Sequence, residues 1–108
     1  MKFRVELTRD AASDLDRLAD YIATNQSVEQ AVYVMDQLET VTAKLATFPE
    51  RGAFPPELVA LGIREYRQVF FKPYRLIYRI FTDRVVVMII ADGRRDMTAL
   101  LTDRLLRS

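Results

Sequence analysis

Phe3, Val5 and Leu7 alternate with Arg4 and Glu6, the period-two pattern of a short strand with one buried face. Thr8 stands where an N-cap belongs, and Asp10 falls in the first turn, where the helix dipole favours an anion. Ala11, Leu15, Leu18, Ala19 and Ile22 then recur at spacings of three and four, predicting an amphipathic helix that ends at Asn25 and Gln26. Asp14, Asp16, Arg17 and Asp20 are assigned to its polar face. Ser27-Val28-Glu29-Gln30 has the form of a capping box and opens a second helix running to about Thr47. Its stripe is Val28, Ala31, Val32, Met35, Leu38, Thr42 and Leu45, widened by Val34, Val41 and Phe48. So short a break between the two helices implies an antiparallel hairpin.

Pro49, Gly52, Pro55 and Pro56 make the next stretch irregular, with a short helical turn expected from Glu57 to Leu61 before Gly62. Three strand-like runs follow. Arg64 to Phe71 is rich in aromatic and β-branched residues, and Lys72-Pro73 breaks it into a hairpin. In the second run Tyr74, Leu76, Tyr78 and Ile80 share one face, and Arg75, Ile77, Arg79 and Phe81 share the other. Val85 to Ala91 is continuously apolar, the mark of a central strand buried on both faces. Asp92-Gly93 ends it, and Asp96 is set to cap a last helix with Met97, Leu100, Leu101 and Leu105 as its stripe. Arg104 and Arg107 fall in the final turns, where the helix dipole favours cations. The predicted order is β-α-α-β-β-β-α. This is an α+β fold, with a helical hairpin on one face of a small, mostly antiparallel four-stranded sheet and a C-terminal helix.

The chain has 108 residues, one domain's worth, with no repeat and no low-complexity segment. Absence of cysteine removes disulfides and thiolate metal sites, and absence of histidine removes the commonest neutral-pH acid/base and metal ligand. No metal or cofactor is therefore expected. The N-terminus has no continuous apolar segment of the secretory kind, and a cytoplasmic location is the simplest expectation. Net charge is only +1, but residues 1–62 hold 6 Lys+Arg against 10 Asp+Glu, and residues 63–108 hold 10 against 5. The first part is thus near −4 and the second near +5, which points to an anionic or acidic partner on the C-terminal half.

The order of elements, together with Tyr74-Arg75-Leu76-Ile77-Tyr78-Arg79-Ile80 and with Ile89-Ile90-Ala91-Asp92-Gly93-Arg94-Arg95-Asp96, resembles the RelE/ParE superfamily of type II toxin–antitoxin (plasmid-stabilisation) toxins. The opening text from Val5 to Ala23 is similar to the start of ParE-like chains, and the resemblance spans essentially the whole sequence. It implies one of two activities. RelE-like members cleave mRNA on the ribosome, using basic side chains and an acid/base group; ParE-like members poison DNA gyrase by binding. Either kind is neutralised by a cognate antitoxin of the ParD/RelB sort. Where several RelE-like members carry a histidine or tyrosine, this chain reads Asp92-Gly93-Arg94-Arg95, which favours the ParE-like branch.

On the ParE-like reading, Arg67, Arg75, Arg79, Arg94 and Arg95 are the expected target contacts, gathered on the sheet face away from the hairpin. Leu18, Ile22 and Met35 of the hairpin, with Arg75 and Arg79, are the expected antitoxin contacts. On the nuclease alternative, Arg75 with Arg94 or Arg95 holds the scissile phosphate, while Tyr74, Glu57 or Glu65 handles protons. A third reading is a binding module of the same fold without toxicity. Arg75 and Arg79 are alternatively cross-strand partners of Glu65 or Asp83, and Tyr78 reads as core. The loop charges Glu50, Arg51 and Glu57 are lesser candidates, and the C-terminal leucines offer a surface for a homodimer.

Overall fold

The computed structural model describes residues 2–106, so Arg107 lies outside the described part. β1 (Arg4–Leu7) leads into α1 (Arg9–Asn25), and α2 (Val28–Lys44) returns antiparallel to it, since Phe3 N–H donates to Ala46 O at 2.8 Å. A 3₁₀ turn (Pro49–Arg51) and the short α3 (Pro56–Val59) precede β2 (Tyr66–Phe71), β3 (Tyr74–Ile80) and β4 (Arg84–Asp92). α4 (Met97–Leu101) runs on into a π-helical turn, Thr102–Leu106.

The three predicted N-caps are all in place. Thr8 Oγ1 accepts from Ala11 N–H, Ser27 Oγ from Gln30 N–H and Asp96 Oδ1 from Ala99 N–H, each at 3.0 Å. α2 ends at Lys44, a few residues short of expectation, and its stripe is narrower than predicted. Ala31, Val34, Leu38 and Leu45 are buried, whereas Val28, Val32 and Phe48 are exposed: the hairpin buries only the centre of a broad apolar arc.

The sheet order is β1-β4-β3-β2, with β1 parallel to β4 and the other pairs antiparallel. β4 is central, as its continuous apolar text predicts. On one face Tyr74, Leu76, Tyr78, Val85, Val87 and Ile90 pack against the hairpin. The other face is covered too. Leu58 of α3, and Met97 and Leu101 of the C-terminal segment, close over Tyr66, Ile77, Ile89 and Ala91. The last helix shields these four apolar strand residues, so much of the face on which the target arginines were expected to gather is already covered. Leu100 and Leu105 pack on this same cluster, so most of the C-terminal leucines serve the chain's own core rather than a dimer surface.

A bulge lets β4 feed both faces unevenly. Tyr78 pairs with Val87 and Ile77 with Ile89, so Met88 has no partner on β3 and the alternation of faces slips by one. Beyond Leu7, which lies opposite Val87, β1 no longer covers β4. There the bare edge is met by side chains: Asp14 Oδ2 accepts from Ile90 N–H at 3.0 Å, and Arg104 Nη2 donates to Met88 O at 3.0 Å. No helix among the described residues is long and apolar enough to cross a membrane.

Candidate functional site

Two clusters of charged and polar side chains flank β3, one on each side. Alternation along the strand sends Tyr74 toward the hairpin and Arg75 toward the C-terminal side.

Arg75 is buried. Its Nη1 donates to Glu57 Oε2 at 2.7 Å and its Nη2 to Glu57 Oε1 at 2.9 Å, a fork-on-fork pair. Nε donates to Gln68 Oε1 at 2.9 Å, and Nη2 also reaches that oxygen. The Arg75 hydrogen bonds hold the Glu57 carboxyl below its ordinary range, against the opposing pull of burial. Gly93 closes the arrangement. A β-carbon there would stand 2.8 Å from Arg75 Cδ and 3.0 Å from Pro73 O, so only glycine lets the turn lie against the guanidinium stem.

The second place is a groove of about 500 Å³ between α1 and the Asp92–Arg95 turn. Arg17, Leu18 and Tyr21 line one wall; Ile90, Arg94 and Arg95 line the other, with Tyr74 between them. Arg94 is exposed and grips Asp92 through Nε–Oδ1 at 2.9 Å and Nη2–Oδ2 at 2.6 Å, which lowers the pKa of Asp92. Burial pushes the Tyr74 phenol up, so it stays protonated at neutral pH and is no base.

The five expected target arginines are thus dispersed. Arg67 lies opposite Tyr78, on the hairpin side of the edge strand, and donates to Glu50 O at 3.2 Å and Gly52 O at 2.8 Å with Phe54 beneath it. Arg79 is at the far end of β3, its guanidinium over Phe81 (5.1 Å) and Tyr66 (5.8 Å) rather than paired with Glu65 or Asp83. Asp83 pairs instead with Arg4, at 3.3 Å. The nuclease set is likewise divided: Tyr74, Arg94 and Arg95 line the groove, and Arg75 sits on the other side of the sheet with Glu57. Ile22, expected to touch an antitoxin, is wholly buried in the core; Leu18 and Met35 are partly buried and each lines a surface groove. Tyr78 is core, its hydroxyl donating to Pro49 O at 2.6 Å and accepting from Gly52 N–H at 3.0 Å.

A family model described as the ParE toxin of the type II toxin–antitoxin system parDE matches residues 5–97. The chain belongs to the ParE toxin family. The Toxin ParE3 of Caulobacter vibrioides is 33% identical to it over 98 residues, covering 91% of this chain and 94% of that protein. A solved structure titled as the chromosomal ParDE system of P. aeruginosa shares the fold. Its TM-score is 0.70 at 19% identity, over 84% of this chain and 96% of the other.

In this ParE-family chain, sequence reasoning passed over Asp14 and Arg104 as a pair. Arg104 Nη1 donates to Asp14 Oδ1 and Nη2 to Oδ2, at 3.1 and 2.9 Å. A signal was present. Asp14 is three residues after Ala11 and four before Leu18, so the helical period places it on the buried side, not on the polar face to which it was assigned. Gln68 carried no such signal: its role exists only because β2 sets it beside Arg75 in space.

Proposed function

We propose that the protein arrests DNA gyrase by binding it, in the cytoplasm and without catalysing a reaction, and that a cognate antitoxin neutralises it. Membership of the ParE family supports the first part. The observation that carries the non-catalytic part is that Glu57 already fills the Arg75 fork which a nuclease would present to a scissile phosphate. Cleavage through the 2′-hydroxyl also needs a proton acceptor near that phosphate. Glu57 is tied to the guanidinium, and Tyr74 is on the wrong side of β3 with its phenol held protonated.

With Arg67 and Arg75 spent on internal contacts, exposed Arg94 and Arg95 carry the target contact in this reading, and Arg79 is a lesser contributor. An antitoxin partner is carried over from the ParDE system named for the P. aeruginosa structure. Leu18 and Met35 supply apolar footing for it on the hairpin.

The test is a supercoiling assay with purified gyrase, run with and without the neighbouring reading frame's product. Inhibition with accumulation of cleaved DNA complexes, relieved by that product, is expected. Normal supercoiling at large toxin excess, with new mRNA 5′ ends after induction in cells, would overturn the proposal.

A further inference from the structure

We infer that the end of the sheet beside the β3–β4 turn, where Arg4, Arg84 and Arg79 stand close together, binds the phosphate backbone of duplex nucleic acid without reading its sequence. The inference does not depend on gyrase being the target.

Strand register assembles the surface. Arg4 lies directly opposite Arg84, and Val86, two residues on, is flanked by Glu6 of β1 and Arg79 of β3. Directly opposed residues share a face of the sheet, so the three arginines are all on the side away from the hairpin. The cover of α3 and the C-terminal segment, centred on Ile77, Ile89 and Ala91, stops short of them. Arg4 keeps 65% of its side chain exposed and Arg84 41%. Like charges on neighbouring strands repel, so strand pairing gives no reason for this grouping.

These guanidinium groups are held in place but not used up. Arg79 and Arg84 each stand 5.1 Å from the Phe81 ring centre, and Arg79 is also over Tyr66. A ring face steadies a guanidinium and leaves its N–H donors unspent. Two carboxylates serve three arginines here. Asp83 meets Arg4 at 3.3 Å, and Glu6 is 3.7 Å from both Arg4 and Arg84. Arg79 makes no ion pair among the described residues, and the buried Arg84 Nε has no hydrogen bond. Arg75 and Arg104, by contrast, spend both fork nitrogens on carboxylates at 2.7 to 3.1 Å. Steadied guanidinium groups with donors to spare fit phosphate oxygens.

Two features choose a duplex backbone over other anions. A protein interface takes its core from apolar and aromatic side chains. Among the described residues, none of the large exposed apolar side chains lies on β1, on β3 or at Arg84–Val86. A single strand needs open rings on which its bases stack, whereas Phe81 and Tyr66 already carry guanidinium groups.

The experiment is a fluorescence-anisotropy titration of the full-length protein. Its probes are two DNA duplexes of about 20 base pairs and unrelated sequence, one matching single strand, and polyglutamate. Equal binding to both duplexes is expected, falling about twentyfold between about 50 and 150 mM salt. Arg79→Gln and Arg84→Gln should each weaken it about fivefold and lower the salt slope by about one. Arg9→Gln, which removes an exposed charge elsewhere, should change neither. Glu6→Gln should tighten duplex binding about twofold by freeing Arg4 and Arg84, a gain that a purely structural cluster would not show. Preference for one sequence, tighter binding of the single strand or of polyglutamate, or no binding would overturn the inference. So would an equal loss with Arg9→Gln, or weaker binding with Glu6→Gln.

Discussion

Arg104 reaches back 90 residues to clasp Asp14 with two parallel hydrogen bonds, and the same guanidinium caps Met88 O on the bulge of β4. The two side chains are only 16% and 10% exposed, so this pair is shielded from the screening that weakens surface ion pairs. It fastens the last helical turn to the first helix across the edge where β1 gives out.

Removing Asp14 leaves the shielded Arg104 with Met88 O and the exposed Asp10 at 3.6 Å, and removing Arg104 leaves Asp14 with only the Ile90 N–H. Asp14→Ala and Arg104→Ala should each lower unfolding free energy by roughly 3 kcal/mol, measured by urea denaturation. The double variant should lose much less than the sum, because the two changes remove one shared interaction.

Glu57 and Arg75 give a pH signature. A carboxyl whose folded pKa lies below its ordinary 4.5 adds stability that is fully present above that value and fades as pH falls through the folded pKa. Asp92 acts in the same direction through Arg94, but only weakly because Arg94 is exposed to solvent screening. Arg75→Met should therefore be destabilised by about 2–3 kcal/mol near neutrality, with the gap to wild type narrowing as pH falls below 4.5. Parallel stability curves for the two proteins would contradict this.

Gly52 and Tyr78 form a tight corner. A β-carbon on Gly52 would lie 2.5 Å from Gln68 O and 2.6 Å from the Tyr78 hydroxyl, both in fixed positions. Gly52→Ala should cost about 2–3 kcal/mol. Tyr78→Phe should cost about 2 kcal/mol by stranding Gly52 N–H and Pro49 O, and amide exchange should quicken at Gly52.

Arg94 and Arg95 are exposed, and replacing them with alanine should leave the melting temperature within a degree or so. On the gyrase reading, the paired replacement should raise the concentration needed to inhibit supercoiling by about tenfold.

The element order was legible because each segment announces its period: three to four in Ala11–Ile22, two in Tyr74–Phe81, unbroken in Val85–Ala91. The same unbroken run concealed the bulge at Met88, since a stretch apolar at every position has no alternation to lose. Val28 and Val32 show the reverse error: they fit the apolar arc by spacing, yet lie on the side the hairpin leaves exposed. The arginines defeated pattern reading for a different reason. Alternation assigns Arg75 a face, but not the carboxylate 18 residues earlier that turns it inward. What covers a face is settled by the path of distant segments, here α3 and α4, and neither the hairpin nor its turn encodes that path.

The sheet's central strand is nearly the last part of the chain to be made, and β1, among the first, has β4 as its sole strand neighbour. During synthesis the N-terminal strand must wait, unpaired, until Arg84 to Val87 have left the ribosome. A translation product interrupted before β4 therefore lacks the strand that joins β1 to the rest of the sheet.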